Sequence, residues 1–108
     1  MDSEVLKATW RGTEIGEATV LGVDMWYMDC KWQPNSTAEA AAFTALASGL
    51  SYKEVMADPT KGTSISLHTA GEIPDLPTVL VMVLADGVLS VRRVLDRKAQ
   101  EWLRANVK

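Results

Sequence analysis

Met25-Trp26-Tyr27-Met28-Asp29-Cys30-Lys31-Trp32-Gln33 is the stretch from which the fold is read, because it holds two of the chain's four tryptophans and two of its five methionines. Successive side chains of a strand point to opposite faces, so a two-residue period marks a half-buried strand rather than a helix. Trp26, Met28, Cys30 and Trp32 therefore share one face, and Tyr27, Asp29, Lys31 and Gln33 share the other. The apolar face reads as a core wall, as a protein interface or as the floor of an aromatic pocket.

Upstream, Val5 to Arg11 alternates Leu6, Ala8 and Trp10 against Lys7, Thr9 and Arg11, which predicts a strand that Gly12 turns. Thr13 to Val23 is less regular, but Ala18-Thr19-Val20-Leu21 favours β structure and Gly22-Val23-Asp24 offers a turn into the tryptophan strand. An antiparallel meander follows from this order. Pro34 ends it, since proline gives no hydrogen bond to a ladder.

Downstream, Ser36 with Glu39 matches a capping box, Ala38 to Ala47 has high helix propensity, and Gly49 suits a left-handed helix end, so the first helix is expected from about Thr37 to Ser48. Its apolar stripe is Phe43, Leu46, Ala47 and Leu50. Ser51 and Glu54 repeat the capping spacing and predict a short helix from Tyr52 to Ala57 before Pro59, with Lys61-Gly62 as a loop. Thr63 to Thr69 resumes alternation, with Ile65 and Leu67 opposite Ser64, Ser66 and His68. Ala70 to Pro77 reads as a loop stiffened by two prolines.

Asp86-Gly87 between Val79-Ala85 and Val88-Leu95 is the strongest hairpin signal, because a two-residue type I′ turn needs positive φ at both positions. The turn sets a register of Ala85 opposite Val88, Leu84 opposite Leu89, Val83 opposite Ser90, Met82 opposite Val91, Val81 opposite Arg92 and Leu80 opposite Arg93. Val79 to Ala85 is apolar on both sides and so requires cover on each, which a second subunit would supply. Asp96 is read as the cap of a last helix whose stripe is Ala99, Trp102, Leu103 and Val107. The order β-β-β-α-α-β-β-β-α gives the expected fold: one α+β domain over residues 1–108, a two-layer sandwich with a mainly antiparallel sheet of five to six strands.

A chain of 108 residues, 47% hydrophobic and 23% charged, is long enough for one core and lies far from disordered compositions. Its net charge of −3 is unevenly spread: the chain through Val91 is acidic, and Arg92, Arg93, Arg97, Lys98, Arg104 and Lys108 make the remainder basic. Those cations suit the end of a helix, or a patch that meets an acidic surface. Overall acidity opposes nucleic-acid binding. The longest apolar run is far short of the ~18 residues of a membrane helix, and a single cysteine with no basic-then-apolar leader points to the cytoplasm.

The search for chemistry returns mainly exclusions. One histidine and one cysteine do not make a Cys/His zinc site, and there is no Gly-rich phosphate loop or nucleophile elbow, so no metal and no cofactor are expected. Ser64, Ser66, His68 and Glu72 form the one Ser/His/carboxylate cluster, but strand side chains two apart stand roughly 6–7 Å from each other, too far for a nucleophile to reach its base. Cys30 reads as a buried, inert thiol. The tryptophan face remains: Trp10, Trp26, Met28, Trp32 and Trp102 are the candidate ligand-binding residues, with Asp24, Asp29 or Glu72 at a rim suited to flat or cationic organic molecules. The functional expectation is a noncatalytic binding or interaction domain, self-associating through a sheet face or edge as a homo-oligomer. A small-molecule binder with that aromatic pocket is the alternative, and an enzyme using His68 the third reading.

Overall fold

In a computed structural model, which describes residues 4–68, 78–93 and 97–106, the alternating segments become six strands. They are β1 (Val5–Trp10), β2 (Thr13–Asp24), β3 (Tyr27–Pro34), β4 (Thr63–His68), β5 (Thr78–Ala85) and β6 (Val88–Arg93). Among the described residues three helices accompany them, α1 (Ala38–Ser48), α2 (Tyr52–Ala57) and α3 (Arg97–Asn106), with a 3-10 turn at Pro59–Lys61. Asp96, Val107, Thr69 at the end of the expected strand, and the expected loop Ala70 to Pro77 lie outside the described residues.

The expected two-layer α+β sandwich is corrected by the sheet, which is a closed antiparallel barrel in the order β1-β2-β3-β6-β5-β4. Closure is made where β1, already paired with β2, also pairs with β4 through Lys7 opposite His68, Ala8 opposite Leu67 and Thr9 opposite Ser66. Each strand thus has two neighbours and the ladder has no open edge, the arrangement by which barrels satisfy backbone groups that an open sheet leaves free. Bulges allow the bending: the register shifts between Ala8 and Thr9, between Val20 and Gly22, and between Val81 and Val83. At the first of these, a Cβ on Gly16 would overlap the Gln33 carbonyl oxygen, so only glycine lets β2 and β3 approach this closely.

The inward faces fill the barrel. Leu6, Ala8, Trp10, Ile15, Ala18, Met28, Cys30, Trp32, Ile65, Leu67, Val81, Leu89 and Val91 form one buried cluster, completed by Ala40, Phe43 and Ala47 of α1. The Phe43 ring meets Trp10 at 5.5 Å and Trp32 at 5.4 Å, both edge to face, a geometry favoured by aromatic quadrupoles. The alanines around Phe43 let α1 lie close to the barrel, as its composition suggests. Its cap is Thr37 rather than Ser36: the Thr37 hydroxyl accepts from the Ala40 N–H at 3.1 Å, and Asn35 Oδ1 in turn accepts from Thr37. Gly49 ends the helix at φ −89°, in the right-handed region, not the left-handed one expected.

Strand β5 is apolar on both sides, and its outer side is covered within the chain. Leu80 and Met82 pack with Val55 of α2 and Leu103 of α3 in a second buried cluster. The expected β5–β6 register holds from Ala85 opposite Val88 to Val83 opposite Ser90 and then shifts at Met82. Val81 lies opposite Val91 instead of Arg92, and Leu80 opposite Arg92 instead of Arg93. The bulge keeps Val81 and Val91 together inside and leaves Arg92 outside beside Leu80, which an unbroken ladder would not do.

Candidate functional site

The structure divides the tryptophans into two pairs. Trp10 and Trp32 belong to the core, and each indole N–H is satisfied: Trp10 donates to Thr63 Oγ1 at 2.9 Å and Trp32 to Thr44 Oγ1 at 3.1 Å. Arg11 lies over the Trp10 ring at 4.1 Å and closes it from solvent. Met28 and Cys30 are buried on the same inner wall. Trp26 is not on that wall. It occupies the two-residue turn between β2 and β3, one residue after Met25, which takes a positive φ of 53°. Trp26 is 47% exposed and Trp102, on α3, is 45% exposed.

Trp26 and Trp102 line one groove of about 330 Å³. Leu80 and Leu103, both buried, form its floor; Pro59 and Ala99 contribute to its sides, and Arg92 and Arg93 bring charge. The β2–β3 turn, the 3-10 turn, β5, β6 and α3 meet here because α3 returns over the outer side of β5 and the long β2–β3 hairpin reaches to the end of β6. Arg93 fixes that meeting. Its backbone N–H donates to the Trp26 carbonyl at 2.5 Å and its Nη2 to the Met25 carbonyl at 2.6 Å. A non-glycine residue at positive φ costs about 1–3 kcal/mol, and such strain persists where neighbours hold it. Here Arg93 holds the Met25–Trp26 turn by two bonds.

Beside the groove, Tyr27 lies opposite Arg92 in the β3–β6 ladder, and the Arg92 guanidinium is 6.0 Å from the Tyr27 ring. The Tyr52 ring of α2 stands 6.1 Å from Tyr27. Burial, and after it the neighbouring Tyr27, raises the Tyr52 phenol above its usual value. Asp29, two pairs further along the ladder, accepts from the Ser90 hydroxyl at 2.8 Å. The sequence placed Arg92 and Arg93 in a basic patch but not beside the tryptophans, and gave Leu80, Pro59 and Leu103 no part in a site. The available signal was an adjacent arginine pair ending a strand, in the segment where the charge changes sign.

The other candidates are placed as follows. Ser64, Ser66 and His68 are partly buried on the outer side of β4, but His68 Nε2 meets Thr9 Oγ1 of β1 at 3.4 Å rather than either serine, and Glu72 lies outside the described residues. Cys30 is fully buried, and burial, assisted by Asp29, pushes its thiol up to about 11. Among the described residues no group of three His, Cys, Asp or Glu stands together as a metal site, and no helix is long and apolar enough to cross a membrane. Comparison of the chain with protein-family models, with curated proteins and with solved structures found no match.

Proposed function

We propose that the protein is a noncatalytic binding domain whose site is the groove between Trp26 and Trp102. One observation carries this reading: two of the four tryptophans stand half exposed on different elements, over an apolar floor, with two arginines beside them. Exposed tryptophan and arginine are enriched where proteins bind, and a site of about 330 Å³ lies at the small end of the ~300–1,000 Å³ of small-molecule pockets. The ligand pocket expected from the sequence keeps Trp26 and Trp102 and loses Trp10, Met28 and Trp32 to the core. The sequence suggested flat or cationic molecules; arginines at the rim keep the flat occupant and argue for an anion rather than a cation. A reducing compartment such as the cytoplasm suits the free Cys30 thiol.

The test uses the four indole N–H resonances of the labelled protein, titrated with a set of small aromatic compounds of mixed charge. Binding in the groove shifts Trp26 and Trp102 and leaves Trp10 and Trp32 in place. Saturable shifts confined to Trp10 and Trp32, or none at all, overturn the reading.

A second reading, self-association, is favoured by the end of the β2–β3 hairpin, where Leu21, Val23, Met25 and Trp26 are all exposed and Met25 is 73% so. Sedimentation velocity at tens of micromolar is expected to give a dimer that Met25→Asp dissociates. A monomer at that concentration removes the self-association reading without touching the groove.

A further inference from the structure

Resting on the reading of the groove as a binding site, we infer that its occupant is a small planar aromatic carboxylate. Arg92 and Arg93 are consecutive and both line the groove. Arg92 is exposed and makes no ion pair with a carboxylate among the described residues; its neighbour across the ladder is the Tyr27 ring. Asp29 is engaged by Ser90. Arg93 is held by the Met25 carbonyl through Nη2, while its Nε–H is shielded from water with no acceptor among the described residues. A guanidinium is permanently charged and planar, and its parallel N–H groups match the two oxygens of a carboxylate.

The apolar half of the occupant follows from the rest of the groove. Trp26 and Trp102 offer aromatic surface, and Leu80 and Leu103 aliphatic surface, so a flat hydrocarbon fits where a sugar or a free inorganic anion would leave apolar surface uncovered. The volume of about 330 Å³ admits a molecule of bicyclic size. Among the described side chains of α3, Lys98 and Glu101 are exposed and opposite in charge, so they offset each other.

The experiment compares 2-naphthylacetate, 2-naphthylacetamide and 2-(2-naphthyl)ethylammonium, three probes with one ring system and different charge, by indole N–H shifts and calorimetry at low salt. The acetate is expected to bind about tenfold more tightly than the amide, in keeping with a charge-assisted hydrogen bond, and the ammonium more weakly than both. Arg92→Gln should bring the acetate to the affinity of the amide while leaving the amide unchanged and the indole spectrum of the free protein intact. Equal binding of acetate and amide, or tightest binding of the ammonium, overturns the carboxylate inference while the groove stands as a binding site. No shift of Trp26 and Trp102 with any probe overturns both.

Discussion

Burial of Cys30 inside the barrel, with the Asp29 carboxylate adjacent in the chain, favours the neutral thiol and raises it from an ordinary value of 9.0 to about 11. The native state therefore keeps a proton that the unfolded chain loses first, so the stability Cys30 contributes is complete below about pH 9 and is lost as pH rises to about 11. Urea midpoints measured across that interval should fall more in the parent protein than in Cys30→Ala. At pH 8 a thiol reagent should leave the native protein unmodified and react fully once it is denatured; fast modification of the folded chain would contradict the buried placement. The Trp10 indole makes a second prediction at this scale. Thr63→Val removes its acceptor and leaves a buried N–H unsatisfied, which costs about 1–3 kcal/mol, to be read from denaturant unfolding.

At the scale of the element, α1 acts through Phe43, whose ring is fully buried between Trp10 and Trp32. Phe43→Ala is expected to lose about 3–5 kcal/mol and to move the Trp10 and Trp32 indole resonances while leaving those of Trp26 and Trp102. Helix α1 was legible in the sequence because helix propensity is local, although its caps were misread at Ser36 and Gly49. The inner face of β3 was legible for the same reason, in Met28, Cys30 and Trp32. Trp26 was misplaced because the alternation that runs through it continues into the turn. Its turn is made by Met25 at positive φ, a residue with no turn preference, whereas Gly22, two residues before Asp24, drew the turn expectation to itself. The sequence has no local sign that the Arg93 side chain holds this turn from 68 residues away.

Closure of the barrel belongs to the whole molecule and was hidden for a physical reason. The β1–β4 seam joins residues some 60 positions apart, and nothing in Lys7, Ala8 or Thr9 distinguishes a strand paired on one side from a strand paired on both. Bulges that bend the strands are equally silent: Met82 looks like any other apolar residue of β5, yet it resets which of Val91 and Arg92 lies opposite Val81. Gly16 is the one visible trace, and Gly16→Ala should destabilise by more than about 1 kcal/mol, because its Cβ would meet the β3 backbone at the point where the strands crowd. Hydrogen exchange separates a barrel from an open sheet directly. In an open sandwich with β1 or β4 at an edge, amides pointing outward from that edge exchange with the solvent almost at once; in the closed ladder those that bond across the seam open only with the barrel itself. The seam amides among Lys7 to Thr9 and Ser66 to His68 are therefore expected to exchange as slowly as those of the β5–β6 ladder, and rapid exchange confined to the seam would mean that the sheet is open there.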